Sequence, residues 1–250
     1  MPVLSEWAAT QAFHAPYWLI STATLLWFVL IYTLIAGGAY FLAIHEIPAT
    51  ATVTAGNRAL RLRPGQVREE LWLSALSMVI FAAQTAGVAW LLRHGWLTID
   101  WHRSPWHLLW ELPLLYVWND VHFFVIHRAL HCKPLYRTVH IWHHRSVITT
   151  PFSAYSFHPV ESFLLGSVMP LALLLHAFSP WALLGLTVMS LVLNVSGHLP
   201  YEQIRERSKL FRLLQPHSRY HNRHHREFHT HYAFSLAWLD RWFSRAQTKP

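Results

Sequence analysis

The sequence predicts an all-α protein, a multi-pass membrane helical bundle with about four or five spans or re-entrant hairpins. Three observations support this fold class. Hydrophobic residues make up 53% of the 250 residues and charged residues only 13%, whereas a soluble domain carries about 25% charge. Several uncharged stretches are long enough to cross a bilayer, which takes about 20 residues. Histidines in the second half of the chain recur at helical spacing.

The first two predicted spans contain no charged residue. They are Tyr17–Ala43 and Leu71–Leu92. The first is longer than the apolar core of a signal peptide, and no Lys or Arg precedes it, so we expect it to be retained.

The later apolar stretches are less uniform. Trp106–Ile126 predicts a third span, although it carries Glu111, Asp120 and His122. Ser162–Val195 is apolar but interrupted by prolines. It predicts two short crossings or a re-entrant hairpin, with the turn near Ser179–Pro180.

The distribution of Lys and Arg predicts the orientation of the bundle. Residues 1–44 contain neither, residues 45–70 contain four, residues 128–150 contain four, and the tail after Leu199 contains ten. Because basic loops stay in the cytoplasm, we expect the N-terminus outside, and the histidine segment and C-terminus in the cytoplasm. The net charge of +8 fits a surface beside anionic lipid, and nucleic acid is not expected as a partner.

Three histidine clusters stand out among the 20 histidines. They are His127–His131 (HRALH), His140–His144 (HIWHH) and His221–His225 (HNRHH). On a helix, residues i, i+3 and i+4 share a face, so each cluster points two or three imidazoles in one direction. The basic residues place all three clusters on the same side of the membrane.

Convergence of eight imidazoles predicts a metal site. Protonated rings would repel one another, whereas neutral imidazole binds Fe, Zn, Cu and Ni. One metal cannot use eight protein nitrogens, so two metals are expected. The Glu-x-x-His pairs of soluble di-iron bundles are absent from the sequence, and an uncharged shell leaves the metals electrophilic enough to activate dioxygen. The sequence therefore predicts a cytoplasmic, histidine-rich helical cap that holds a dimetal site.

Further motifs accompany the clusters. They are PLYRTVHIWHH, FHPVE at 157–161, NVSGHLPYE at 194–202 and HHREFHTHYAFSLAWLDRWF after the last cluster. Together, and in this order, the motifs resemble the fatty acid hydroxylase / sterol desaturase superfamily over about residues 110–245. The resemblance predicts two parts: residues 1–105, with membrane spans and a cytoplasmic basic loop, and residues 106–250, a fatty acid hydroxylase-like catalytic domain.

The resemblance implies an integral-membrane, non-haem di-iron oxygenase. Such enzymes hydroxylate or desaturate a lipid C–H bond with O2 and two external electrons. Nine histidines would be the metal ligands: His127, His131, His140, His143, His144, His198, His221, His224 and His225. Two Fe ions are expected, and Zn can substitute for them in purified protein.

Other residues are candidates for an extra ligand or for orienting one. They are Asn194, His158, His229, His231 and Glu202. Asp120 lies seven positions before His127 on the same helical face, and an acidic residue within a span predicts a function. We expect Asp120 to orient a ligand histidine. Glu161 and Asp240 are further candidates, although Asp240 could instead form a salt bridge with Arg241 or Arg245.

The expected partners follow from the reaction. The sequence contains no nucleotide-, flavin- or haem-binding motif, so an external electron donor of the ferredoxin or cytochrome b5 type is needed. The substrate is expected to be a membrane lipid. The membrane would be a bacterial inner membrane or, in a eukaryote, the endoplasmic reticulum.

Two other classes of protein stay open. A membrane metal transporter would use the histidines as a conduit, but transporter sites lie near the bilayer midplane, whereas these clusters lie in basic segments. A zinc-dependent membrane hydrolase would need a glutamate within a histidine motif, as in HExxH. The sequence contains no such motif.

Overall fold

The computed structural model describes residues 14–44, 53–55, 58–60, 62–199, 209–236 and 238–244. Apart from one short hairpin, the regular structure of these residues is helical, which confirms the predicted fold class. The hairpin pairs β1 (Val53–Ala55) with β2 (Arg58–Leu60) in antiparallel register.

Two long helical segments form the N-terminal half. Helix α1 (Tyr17–Tyr32) continues through a π-helical turn (Thr33–Gly37) into α2 (Gly38–Ile44). Helix α3 (Gln66–Arg93) follows the hairpin. Glycines with positive φ stand just outside its two ends, Gly65 at 75° and Gly95 at 74°, where a side chain would be strained.

The second half of the chain is built from shorter helices. In chain order they are α4 (Leu108–Leu130), α5 (Lys133–Leu135), α6 (Ile141–His144), α7 (Pro159–Gly166), α8 (Val168–Leu175), α9 (Pro180–Gly197), α10 (Lys209–Glu227) and α11 (Trp238–Ser244). A π-helical turn (Tyr136–His140) joins α5 to α6, and 3-10 turns occur at Pro105–His107 and Pro151–Tyr155. Prolines in the first turn of α7 and α9 favour helix initiation there.

Within the described residues, three helical segments are long and apolar enough to cross a membrane. They are Tyr17–Leu42, Gln66–Arg93 and Pro180–Gly197. The predicted third span forms α4, which does not belong to this set. The apolar stretch after it forms α7 and α8 and then α9, with the turn immediately before Pro180. The protein is a membrane protein, whereas the number of spans stays a prediction.

The two halves of the chain pack against each other. Phe28 of α1 contacts Phe81 of α3, with ring centroids 5.4 Å apart, and both belong to an apolar cluster that includes Tyr155, Phe157 and residues of α9. The domain boundary predicted near residue 105 stays a prediction.

A buried carboxylate at the start of α3 holds the segment that follows α6. Glu70 is 1% exposed. Its Oε1 accepts hydrogen bonds from Gln66 Nε2 at 2.8 Å and Ser146 Oγ at 2.7 Å, and its Oε2 accepts one from Thr150 Oγ1 at 2.5 Å. This network ties the first half of the chain to the end of the second histidine cluster.

Replacing Glu70 with glutamine is therefore expected to lower the free energy of unfolding by about 2–3 kcal/mol, since one buried hydroxyl then loses its acceptor. Thermal unfolding in detergent measures the effect. Glu69→Gln is the matched control. Glu69 pairs with Arg63 and Arg145 at a partly exposed site, where ion pairs contribute about 0–1 kcal/mol. Equal effects of the two substitutions would contradict the buried role of Glu70.

Candidate metal centre

The nine predicted ligand histidines come together in two groups. The five-histidine group contains His127, His131, His140, His144 and His224. The four-histidine group contains His143, His198, His221 and His225. Within each group, one nitrogen of every ring lies within 4.8 Å of the corresponding nitrogens of the others. Each group can therefore hold a metal ion.

The second and third clusters each contribute to both groups. In the second cluster, His140 and His144 belong to the five-histidine group and His143 to the four-histidine group; in the third, His221 and His225 belong to the four-histidine group and His224 to the five-histidine group. The first and last histidines of each cluster, at i and i+4, thus share one group, and the histidine at i+3 belongs to the other. The reason is that i+4 and i+3 lie on opposite sides of residue i around the helix axis. This alternation places the two groups side by side.

Burial keeps the rings uncharged. Eight of the nine are at most 3% exposed, and His131 is partly exposed. Burial, reinforced by neighbouring imidazoles, holds the pKa of His140, His143 and His221 well below the ordinary histidine value. At neutral pH such rings are neutral, which is the form that binds metal.

Hydrogen bonds at Nδ1 fix the tautomer of four rings. Backbone carbonyls accept from His127 (Tyr232, 2.8 Å), His143 (Ser156, 3.2 Å), His198 (Asn194, 2.7 Å) and His224 (Thr230, 2.6 Å). A carbonyl only accepts, so Nδ1 carries the proton and Nε2 of the neutral ring carries a lone pair.

The Nε2 atoms then face one another at distances that suit a shared cation. His143 Nε2 and His198 Nε2 lie 3.4 Å apart, although both carry lone pairs. Metal–nitrogen bonds of about 2.0–2.1 Å at tetrahedral to octahedral angles separate neighbouring ligand nitrogens by about 2.8–3.4 Å. The pair His198–His221 at 3.2 Å falls in the same range, as do His131–His224, His140–His144 and His221–His225 at 3.1 Å.

A buried ring nitrogen without a hydrogen-bond partner is a further sign of a metal site. His127 Nε2 is buried and has no hydrogen-bond partner among the described residues. A buried lone pair without a partner is costly in a folded protein. The donor set therefore fits two metal ions.

Glu161 supports the five-histidine group by binding the nitrogen of His140 that faces away from the metal position. Its Oε1 accepts from His140 Nδ1 at 2.8 Å, and both side chains are buried. A carboxylate at this nitrogen fixes the ring's orientation and strengthens Nε2 as a ligand.

Asp120 contacts the backbone of the segment after the third cluster. It accepts hydrogen bonds from Ser235 N at 2.8 Å, Ser235 Oγ at 2.7 Å and Leu236 N at 2.7 Å. These bonds hold the segment whose Tyr232 carbonyl accepts from His127. The expected orienting role of Asp120 stays a prediction. Through these contacts Asp120 would act on His127 indirectly, by holding the backbone that carries the Tyr232 carbonyl.

Asp240 holds the same segment from the other side. It accepts from Tyr232 N at 3.1 Å and Ala233 N at 2.8 Å, and from the hydroxyl of Tyr220. Its described hydrogen bonds are thus with this segment and with Tyr220 of α10, and Arg245 lies outside the described residues.

The remaining candidates that the structure describes lie outside the two histidine groups. His158 caps α7 by accepting from Val160 N at 3.2 Å, and His229 is exposed. The His231 ring packs on Tyr220 at 4.2 Å. Asn194 contributes its backbone carbonyl to His198, while its amide donates to the Ser190 carbonyl. Glu202 lies outside the described residues.

Asn222 is a supporting residue that the sequence reasoning missed. Its Nδ2 donates to the carbonyls of Gly197, Leu199 and Ser218, and its Oδ1 accepts from Thr149 Oγ1 at 2.7 Å. It therefore joins α10 to the end of α9 beside His198 and to the segment after His144. Its position within the HNRHH motif was the feature of the sequence that could have identified it.

Asn222→Asp is expected to weaken the four-histidine group, because a carboxylate would face three carbonyls in place of the amide. We expect the metal affinity to fall by about 10–100-fold, as for other supporting residues of metal sites. Metal content after dialysis against a chelator measures this. Arg223→Ala is the matched control, because Arg223 is exposed and pairs only with Glu227 among the described contacts. If Asn222→Asp retains metal as well as Arg223→Ala does, the supporting role is wrong.

An apolar cavity of about 540 Å³ lies between α1, α3, α4 and α9, next to the histidine groups, although none of the nine histidines lines it. Phe123 and Phe157 line its near end, with ring centroids 4.8 Å from His127 and 5.0 Å from His143. Along α9 the lining runs from Asn194 back to Pro180, about 21 Å at 1.5 Å per residue. The shape suits an elongated apolar molecule.

These features define a membrane protein in which two adjacent histidine groups, each able to hold a metal ion, stand at the end of an apolar cavity. The profile of the fatty acid hydroxylase family matches residues 112–245. This match covers more than half of the chain, and the protein belongs to the fatty acid hydroxylase family.

Curated relatives are sterol-modifying enzymes by name. The chain is 32% identical over 112 residues to a Delta(7)-sterol 5(6)-desaturase of Saccharomyces cerevisiae, covering 43% of this chain and 30% of the relative. It is 29% identical over 136 residues to lathosterol oxidase of Rattus norvegicus, covering 51% and 42%. A Candida albicans Delta(7)-sterol 5(6)-desaturase is 36% identical over 56 residues, covering 22% and 14%. The chain thus spans less than half the length of these relatives. No solved structure matches it.

Proposed function

We propose that the protein is an oxidoreductase that hydroxylates or desaturates a C–H bond of a membrane lipid, using O2 at two iron ions held by histidine. One observation carries the proposal: two buried groups of neutral imidazoles, with converging lone pairs, meet the end of an apolar cavity within a membrane bundle. Membership of the fatty acid hydroxylase family and the names of the relatives support lipid oxidation.

The histidine groups would hold one ion each. When bound, iron supplies the activation of O2 and the removal of hydrogen from an unactivated carbon. The residues of the chain orient the ligand histidines and shield the site from water. Glu161 and the backbone carbonyls hold the Nδ1 protons in place, so Nε2 of each ring stays directed at the metal position. Burial of the rings excludes water from the reaction.

The cavity would orient the lipid. Its apolar lining binds hydrocarbon, and Phe123 and Phe157 place one part of the molecule beside the two groups. Hydroxylation and desaturation both begin with removal of a hydrogen, so the same site supports either product. The position of the bound carbon would decide between them.

The proposal includes an external electron donor of the ferredoxin or cytochrome b5 type. We further propose that the histidine groups face the cytoplasm, since the segments that carry the histidine clusters are rich in Lys and Arg in the sequence. The membrane would be a bacterial inner membrane or the endoplasmic reticulum.

Glu161 does not stand where the general base of a zinc hydrolase would be needed. Glu161 lies behind His140, at Nδ1, and so on the side away from the metal-binding nitrogen. A general base must reach the metal-bound water, whereas an orienting residue stands where Glu161 does.

Lipid mass spectrometry under 18O2 tests the proposal. Cells that express the chain are compared with cells that express His144→Ala. We expect one lipid to gain a single 18O atom, or to lose two hydrogens, only with the unchanged chain. If the lipids of the two cultures are the same under 18O2, in the presence of a reducing system, the proposed function is wrong. Metal uptake into proteoliposomes would instead indicate a transporter.

A further inference from the structure

Two polar side chains of α4 line the otherwise mostly apolar cavity. Asn119 and His122 are only 5% and 6% exposed, and both border the cavity. They are three residues apart and so share one face of the helix. The described residues give each side chain fewer hydrogen bonds than it can form.

The hydrogen bonds of His122 determine its tautomer. Ser167 Oγ donates to the Leu164 carbonyl at 2.6 Å, so the same oxygen accepts from His122 Nε2 at 3.0 Å. The proton of the neutral ring is therefore on Nε2, and Nδ1 carries a lone pair. No described residue donates a hydrogen bond to this Nδ1.

Asn119 complements His122. No described residue forms a hydrogen bond with its side-chain amide. By contrast, Thr85 and Thr187, which also line the cavity, donate to the backbone carbonyls of Phe81 and Leu184. The polar atoms of Asn119 and His122 face the cavity, so a molecule that fills it must either pair with them or leave them unpaired at a cost of about 1–3 kcal/mol. A ligand is the partner that would satisfy both residues.

We propose that Asn119 and His122 bind the hydroxyl group of a lipid alcohol. A hydroxyl can donate its hydrogen to His122 Nδ1 while its oxygen accepts from the Asn119 amide. An ether, ketone or ester cannot donate to Nδ1. A carboxylate or phosphate would be repelled by that lone pair, and it would also lose its hydration in an apolar cavity. That this alcohol is the substrate rests on the proposed function.

The position of the pair sets where the lipid would react. Asn119 and His122 precede His127 by eight and five residues, about 12 and 8 Å along α4. The carbon presented to the metal centre is therefore expected to lie several bonds away from the hydroxyl group.

Equilibrium binding of four radiolabelled probes to the purified full-length protein in detergent tests the proposal. The probes are cholesterol, cholesteryl methyl ether, hexadecanol and hexadecyl methyl ether. We expect at least one alcohol to bind about tenfold more tightly than its ether, which corresponds to about 1.4 kcal/mol. The sterol and linear pairs distinguish two sources of the hydroxyl. If both alcohols bind no better than their ethers, or neither binds, the proposal is overturned.

Variants assign the preference to the two residues. His122→Leu and, independently, Asn119→Leu are expected to bring the ratio of alcohol to ether affinity close to one, while ether affinity changes little, which shows that the cavity is intact. Thr24→Val, on the α1 side of the cavity, is the matched control and is expected to keep the ratio. A wild-type ratio in both leucine variants would overturn the assignment.

The binding assay needs no iron, O2 or electron donor, so the two proposals can fail separately. A preference for alcohols without any lipid oxidation in cells would leave this inference intact and remove the proposed function. Oxidation of a lipid, together with equal binding of alcohols and ethers, would support the proposed function and overturn this inference.

Discussion

Replacement of His198 with alanine is expected to reduce the bound metal from two ions to one per chain and to lower lipid oxidation by at least about 100-fold. His198 lies outside the three sequence clusters, yet its Nε2 is 3.4 Å from that of His143 and 3.2 Å from that of His221. Its removal leaves three nitrogens in the four-histidine group and a space beside them. Metal analysis of the purified protein measures the stoichiometry, and lipid mass spectrometry measures the product.

His229→Ala is the control for this experiment. His229 is exposed and belongs to neither histidine group, so both ions and the activity are expected to remain. Two tightly bound ions in the His198→Ala protein would show that His198 is not a ligand.

Replacement of Glu161 with alanine is expected to weaken metal binding at the five-histidine group by about 10–100-fold. The cause is the loss of the acceptor for His140 Nδ1 at 2.8 Å. Without it the buried N–H is unpaired, and the ring can turn away from the orientation that directs Nε2 at the metal. Competition with a chelator of known affinity measures the change at each of the two sites.

Glu161→Gln separates hydrogen bonding from charge. The glutamine carbonyl can still accept from His140, so we expect a smaller loss of affinity than with alanine. The affinity of the four-histidine group serves as an internal reference, since Glu161 contacts His140 of the other group. Unchanged affinity in Glu161→Ala would mean that the carboxylate does not orient this ligand.

The helices and the candidate ligand histidines of the three clusters were predictable from local patterns. Uncharged runs predicted α1 and α3, because a bilayer excludes charge over a fixed length. The spacing HxxHH predicted that the rings of each cluster share a face. His198 required the resemblance to a family, because a lone histidine carries no spacing signal. Trp106–Ile126 was harder to interpret: it forms α4, but Glu111 and Asp120 lower its apolar character.

The supporting contacts were not predictable in detail. Asp120 was expected to orient a ligand histidine, but its described bonds are to Ser235 and Leu236, 115 and 116 positions away. The acceptors for His127, His143 and His224 are backbone carbonyls. A backbone carbonyl is present at every residue, so no side chain marks which one is used.

The sequence by itself determined that this chain is a helical membrane protein and which clustered histidines could bind metal, because hydrophobic length and helical spacing are local properties. Only the tertiary structure decided how nine rings divide into five and four and which tautomer each hydrogen-bonded ring adopts. It alone also showed that Asn119 and His122 line one cavity together with Phe123 and Phe157, whose rings pack on His127 and His143. These features depend on contacts between segments far apart in the chain, and such contacts leave no periodic signal in the sequence.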